Sequence, residues 1–382
     1  MKDLRPALVQ AQQGHLYRRR RVLDSPQQPR LVVEGRPLLS FCSNDYLGLA
    51  ADPRVSKAFH RGLEHWGSGS GSAHLVSGHS RAHHALEEEL ADFTGRERAL
   101  LFSSGYLANL AVVTSLCGRG DTVIQDKLDH ASLIDAARLS GAGLKRYAHN
   151  DMAAARQRLA AARGEVLLAV DGVFSMDGDL APLPELADLA SQHGAWLMVD
   201  DAHGLGVLGA GGRGSLAHFG LDADHAPVLM GTLGKAFGTA GAFVAGSEAL
   251  IETLIQKARS YIFTTALPAA LAEATRASLE ILRAEEWRRE RLASLVARFR
   301  RGAAEMGFKL SASATPVQPL IAGRAQTALA WSRLLEEQGI LVTAIRPPTV
   351  PKGSARLRIT FSAAHEDRDL DQLLAALESL KP

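Results

Sequence analysis

Two carboxylates and a histidine stand at the end of one apolar run, Leu197-Met-Val-Asp200-Asp201-Ala-His203-Gly204, immediately before a glycine turn. If that run is a strand of an open α/β sheet, its C-terminal end is where ligands bind. An aspartate held there and partly buried demands a cationic partner, because an unpaired buried carboxylate is costly. Alone, the motif fits a helix N-cap beside a surface pair equally well. A second run, Met230-Gly-Thr232-Leu-Gly-Lys235-Ala-Phe-Gly238, sets a lysine among glycines directly after another apolar segment. The glycines let backbone approach a ligand closely and leave the amine accessible, and a lysine so placed can act as a Schiff-base nucleophile. Thr232 offers a hydroxyl to a phosphate oxygen, and the Gly-x-x-x-x-Gly-Lys-Ser/Thr pattern of a P-loop is not present. In Phe102-Ser-Ser-Gly105-Tyr106-Leu-Ala-Asn109 a strand leaves through serine and glycine into a helix. The first N–H groups of such a helix form an anion site, although ordinary N-capping accounts for the same residues. Taken together, a reactive lysine, a buried aspartate and a phosphate-binding helix start are what pyridoxal phosphate (PLP) requires. The aspartate pairs with the ring nitrogen, the lysine carries the aldehyde and the helix end holds the phosphate.

These groups need a scaffold. Between residues 86 and 250 short apolar runs alternate with helical stretches. Ala99–Phe102, Thr122–Ile124, Val166–Val170, Trp196–Val199, Val228–Met230 and Gly241–Ala245 read as strands, and Leu86–Phe93 and Leu183–His193 as helices. Continuous apolar runs are strands covered on both faces, so the pattern predicts a mostly parallel central sheet flanked by helices. Ahead of it, Leu4–Val22 reads as a polar helix ending in the basic run Arg18–Arg21, a solvated helix face. Leu31–Phe41 reads as a hairpin around Glu34-Gly35, and the Gly/Ser-rich Gly67–Ser72 taken alone resembles a flexible linker. Ala249–Met306 is helix-rich. Beyond it lies a smaller α+β pattern with strands at Val317–Ala322 and Arg356–Phe361 and helices at Ala325–Gln338 and Arg368–Leu380. Alternation puts Arg356, Arg358 and Thr360 on one face of their strand. The domains expected are an N-terminal segment (1–45), a large α/β domain (46–290) and a small C-terminal α+β domain (291–382).

Composition narrows the class. The chain has 382 residues, 46% hydrophobic and 22% charged, with a formal charge of +2, so it carries a sizeable core and gives no reason to expect nucleic acid as a partner. No apolar run approaches the ~20 residues that span a bilayer, and Met1–Gln13 lacks the apolar stretch of a signal peptide. Cys42 and Cys117 stand far apart without a Cys-x-x-Cys partner, which favours a reducing cytosol and no membrane association. His79, His83 and His84 have no clustered carboxylate or cysteine in sequence. A structural role at a helix beginning near Ser80 is therefore expected, and no metal.

Several stretches in order, Phe41-Cys-Ser-Asn44-Asp-Tyr-Leu-Gly48, Val173-Phe-Ser175-Met-Asp-Gly178, Asp200-Asp-Ala-His203, Lys235 and Pro348-Thr349-Val-Pro-Lys-Gly353, resemble the α-oxoamine synthases over essentially the whole chain. These are fold-type I PLP-dependent transferases that condense an amino acid with an acyl thioester. Arg346-Pro-Pro-Thr-Val-Pro and Ala364-His-Glu are similar to the branch that joins L-alanine to a pimeloyl group carried on coenzyme A or a carrier protein. The alternative is a sister branch that uses glycine with acetyl- or succinyl-CoA. The resemblance implies that Lys235 binds the cofactor's aldehyde and acts as the base, that Asp200 holds the ring nitrogen and that His203 and Ser175 reach the phenolic oxygen. His130, in Asp129-His-Ala-Ser132, would stack on the ring, where the residues alone favour a plain helix-start histidine. Gly105 and Tyr106 would position the ring and phosphate and Thr232 would bind phosphate oxygens, joined by Thr264 or Thr265 of a second subunit, which implies a homodimer with shared active sites. Arg358 would bind the amino-acid carboxylate, with Asn44, Arg18 and Thr349 also at the substrate. Relatives carry arginine where this chain has Ala73-His74.

Overall fold

In the computed structural model, which describes residues 2–380, the strands in chain order are β1 (Arg30–Val33), β2 (Arg36–Ser40), β3 (Arg98–Phe102), β4 (Thr122–Asp126), β5 (Gly143–Tyr147), β6 (Val166–Asp171), β7 (Trp196–Asp200), β8 (Val228–Thr232), β9 (Ala242–Gly246), β10 (Val317–Gly323), β11 (Ile340–Leu341), β12 (Thr343–Ile345) and β13 (Ala355–Thr360). The ends of the terminal segments expected at 1–45 and 291–382 include Met1, Lys381 and Pro382, which lie outside the described residues. The chain divides into two compact units. One is Met1–Gly48, Met176–Asp179 and Glu290–Pro382; the other is Leu49–Ser175 and Leu180–Arg289.

The second unit is built on a seven-stranded sheet of order β3-β9-β8-β7-β6-β4-β5. Strands β5, β4, β6, β7 and β8 run parallel, and β9 lies antiparallel to both β8 and β3. This is the mostly parallel α/β sheet that the apolar runs imply. Successive residues serve opposite cores, because side chains alternate across a strand. Val123, Leu167 and Met198 pack with Val112 of the helix Gly105–Leu116. Their neighbours Ile124, Leu168 and Val199 pack with Leu186 of the helix Leu183–Gln192 on the other face. Strand β5 gave no apolar run in the sequence. It is an edge strand whose residues alternate between exposed and half-buried until Tyr147, so its sequence Gly-Leu-Lys-Arg-Tyr stays polar.

The Gly/Ser-rich stretch is anchored, unlike a free linker. The Ser72 carbonyl accepts the Ala266 N–H at 3.0 Å, Ser70 Oγ donates to the Leu267 carbonyl, and Ala73 bridges Thr265. Backbone hydrogen bonds of this kind override the flexibility that composition suggests.

In the first unit β1 and β2 form the expected hairpin, turning through Glu34 and Gly35, both at positive φ, and β2 pairs in parallel with β11. A second sheet has the order β10-β13-β12. The N-terminal helix is shorter than its pattern: it spans Arg5–Gln13 and stops at Gly14, where His15 takes a positive φ of 56°. Arg18–Arg21 are therefore no helix face. They are exposed, irregular backbone held at both ends of the run, with Arg18 Nη2 donating to Thr349 Oγ1 at 3.3 Å and Arg21 paired with Glu336 at 2.8 Å. Among the described residues no helix is long and apolar enough to cross a membrane.

Candidate active site

Adjacent strands of the parallel block end in polar groups: β4 in Asp126, β6 in Asp171, β7 in Asp200 and β8 in Thr232. Because the strands are parallel, these side chains gather along one edge of the sheet, the edge where α/β proteins bind ligands. A cavity of about 200 Å³ opens there. Its lining includes Gly105, Tyr106, His130, Ser175, Asp200, His203, Thr232 and Lys235, all expected from sequence, and also Asn109, Asp171, Ala202 and Met230, which carry no expected role. Thr264 and Thr265 lie outside that lining.

Asp200 is the buried end of the cavity, 5% exposed. Its Oδ2 accepts from Asn109 Nδ2 at 2.7 Å and its Oδ1 from the Ala202 N–H at 3.1 Å. Two neutral donors, a side-chain amide and a backbone N–H, thus hold the carboxylate in place. Asn109 also donates to Ser132 Oγ at 2.8 Å, which fixes the amide between helix and carboxylate. It lies four residues after Gly105, hence on the same helix face, and that spacing is the signal by which it could have been found. Asp171 is Asp200's neighbour across β6 and β7, and its Oδ1 accepts the His130 N–H at 3.3 Å. Burial, followed by the charge of Asp200, pushes the Asp171 carboxyl well above the usual carboxylate range. Asp129 shifts the same way through burial and then Asp171.

Lys235 follows β8, and its Nζ lies 2.8 Å from His203 Nε2. His130 is the helix-start histidine that the residues alone favour, and it also lines the cavity. It caps the helix Ala131–Ser140, with Nδ1 accepting the Ser132 N–H at 3.3 Å, and its ring faces the cavity. Asp201 points away from the cavity. Its Oδ2 accepts the Ser215 N–H at 2.7 Å, and burial pushes its carboxyl up to about 7. The turn after β7 closes tightly on that carboxylate: a Cβ at Gly204 would stand 2.1 Å from Asp201 Oδ1. Gly204→Ala is accordingly expected to cost about 1–3 kcal/mol, read by calorimetry as a Tm several degrees lower. An unchanged Tm would show that the turn has room for a methyl group.

The helix Gly105–Leu116 contributes its first turn to the lining. Ser104 caps it by accepting the Leu107 N–H at 3.3 Å, so Gly105 and Tyr106 occupy the first turn. Tyr106 donates its hydroxyl to Asp135 at 2.6 Å. Thr232 Oγ1 donates to the Gly241 carbonyl at 3.1 Å and accepts the Gly234 N–H at 3.4 Å. A buried carboxylate held by neutral donors, an amine beside an imidazole, and a helix start with a hydroxyl match the ring nitrogen, aldehyde and phosphate of PLP. The residues present fit that group.

The remaining expected residues belong to the first unit, where they form two pairs. Arg18 meets Thr349, and Arg358 Nη1 donates to Asn44 Oδ1 at 3.1 Å. Arg358 shares its strand face with Arg356, and both are buried. Arg356 is engaged by Asp177 Oδ1 at 2.5 Å and by the Met176 carbonyl at 3.1 Å.

Residues 36–377 match the family model of class I and II aminotransferases. The chain is 62% identical over 380 residues to an 8-amino-7-oxononanoate synthase of Thioalkalivibrio sulfidiphilus, covering 99% of this chain and 97% of that one. Among solved structures it is similar to SPT with a PLP internal aldimine at 31% identity and TM-score 0.91, covering 94% of this chain and 92% of that one. It is also similar to the 8-amino-7-oxononanoate synthase of Francisella tularensis at 32% identity and TM-score 0.80, covering 90% of this chain and 97% of that one.

Proposed function

The chain belongs to the class I and II aminotransferase family, alongside the 8-amino-7-oxononanoate synthases, and from that premise we infer that it is a PLP-dependent acyltransferase of biotin biosynthesis. The reaction joins L-alanine to a pimeloyl thioester and yields 8-amino-7-oxononanoate, CO2 and the free thiol. The observation that carries the reading is Asp200, a buried carboxylate held by Asn109 Nδ2 and the Ala202 N–H in the lining of the same cavity as Lys235 and His203.

When bound, PLP supplies an aldehyde for the amino group and a ring that draws off the electron pair released at the substrate's α-carbon. The protein's part is to hold charges and move protons. Asp200, fixed by Asn109 and the Ala202 N–H, keeps a proton on the ring nitrogen. The first turn of the helix Gly105–Leu116 and Thr232 take the phosphate, and His130 covers the ring. His203 and Ser175 hydrogen-bond its phenolic edge. Lys235 Nζ removes the α-proton of alanine and returns a proton after CO2 has left. What supports this is its place in the lining, 2.8 Å from His203 Nε2. Arg358, held by Asn44, binds the alanine carboxylate, while Arg18 and Thr349 take the acyl substrate's far carboxylate.

The same reading makes the enzyme a cytoplasmic homodimer in which Thr264 and Thr265 serve the partner subunit's phosphate site. In support, Thr265 is exposed and bridged to Ala73, and Leu75, Val76 and Phe263 nearby in the chain expose apolar surface that a second copy would cover.

Arg358→Ala is expected to raise the KM for L-alanine about 10- to 100-fold, since a charge-assisted carboxylate bond contributes about 1.5–3 kcal/mol. An unchanged KM would remove Arg358 from the role. The reading as a whole is tested by absorbance titration of the holoenzyme. L-alanine should change the cofactor's visible band and pimeloyl-CoA should change it again. A response confined to glycine, with none to pimeloyl-CoA, would transfer the chain to the glycine-using branch.

A further inference from the structure

Away from the cavity, the π-helical turn His74–Gly78 and the start of the helix Arg81–Thr94 gather His74, His79, His83, His84 and Glu87. His83 has the structural role expected from sequence. Its Nδ1 accepts the Ser80 N–H at 3.1 Å in a capping box, and its Nε2 donates to the Leu267 carbonyl at 2.6 Å, so both ring nitrogens are used. The other groups are placed differently. His84 and Glu87 are three residues apart on one helix face. His79 approaches from the segment before the cap, and the ligating atoms of His79, His84 and Glu87 all lie within 4.8 Å of one another. His79 Nε2 stands 3.8 Å from Glu87 Oε2.

A second layer orients two of these groups. His79 Nδ1 is 3.0 Å from His74 Nδ1, and a bond there turns the His79 Nε2 lone pair toward Glu87. His74 is itself stacked on Tyr261 at 5.1 Å. Glu87 Oε1 accepts the Leu101 N–H at 2.9 Å, which leaves Oε2 for the cluster. The Glu87 side chain is only 12% exposed, and among the described residues no Lys or Arg stands within ion-pair distance of it. Two imidazole nitrogens and one carboxylate oxygen within this reach of one another make a donor set that suits a divalent cation.

We propose that His79, His84 and Glu87 form a site for a zinc-like divalent cation, two imidazoles and one carboxylate with a position open to solvent. His74 acts as the positioning residue behind His79. The cation would tie the segment before the cap to the helix, next to Ala73 and the Thr265 that it bridges.

The test is calorimetric titration of EDTA-treated holoenzyme with ZnCl2, with bound metal counted by mass spectrometry and the cofactor's absorbance followed throughout. The expected result is one Zn2+ per chain, a raised Tm and an unchanged cofactor band. His84→Ala and Glu87→Gln should each weaken binding at least ~10-fold. The His84 side chain is half exposed and Gln keeps the acceptor for the Leu101 N–H, so both variants are expected to fold. Sub-stoichiometric uptake, or uptake equal in wild type and both variants (an adventitious ion only), would overturn the proposal. So would a cofactor band that moves with Zn2+, because the cofactor would then be the ligand.

Discussion

Lys235→Ala is expected to lower condensation at least ~10⁴-fold, because one amine both anchors the cofactor and moves the α-proton. The loss should fall on kcat, with Tm and circular dichroism close to wild type. The side chain is half-buried, follows β8 among glycines and ends at the cavity beside His203. Steady-state rates with L-alanine and pimeloyl-CoA measure it. Condensation retained within tenfold of wild type would mean that another group, with His203 the nearest, takes the proton.

The second large effect concerns Asp200. Asn at this position keeps the shape and an oxygen for the Ala202 N–H but cannot balance a positive charge on the ring nitrogen. Breaking a buried ion pair by removing one partner costs about 3–5 kcal/mol, so Asp200→Asn is expected to lose ~10²- to 10⁴-fold in turnover. The loss should persist at saturating PLP, which separates it from weakened cofactor binding. Full turnover once PLP is saturating would show that the carboxylate serves binding alone. Asn109 supplies a graded control. Its amide bonds Asp200 at 2.7 Å without carrying charge, so Asn109→Ala should cost less than Asp200→Asn.

Much of this site was legible in the chain because parallel strands buried on both faces read as unbroken apolar runs, and the residues just past their C-terminal ends gather at one sheet edge. Asp200 and Lys235 each close or succeed such a run. Asp171 was missed although it ends β6, since the apolar run Val166–Val170 stops one residue short of it. Its importance comes from Asp200 in the next strand, a neighbour 29 positions later that no local pattern announces. Asn109 carries no expected role although it closes the stretch that begins at Phe102, because only the folded geometry separates a cavity-facing amide from a helix interior. The basic run failed as a helix for a local reason, the stop at Gly14 and His15. The pairing of β2 with β11 joins residues 301 positions apart, Leu39 with Ile340, and hydrophobic periodicity carries no information on such partners. For the histidines, the reading looked for a carboxylate within the cluster and passed over Glu87, three positions after His84. The helix brings Glu87 alongside because positions three and four apart share a face.

The central claim is a condensation that breaks the bond between the α-carbon and the carboxylate of alanine. The most direct measurement is therefore to incubate the holoenzyme with L-alanine labelled with carbon-13 at the carboxyl and with pimeloyl-CoA, monitoring products by mass spectrometry. The account predicts labelled CO2, unlabelled 8-amino-7-oxononanoate and free thiol in equal amounts. Labelled pyruvate formed without consumption of the thioester would contradict it and make the chain a transaminase.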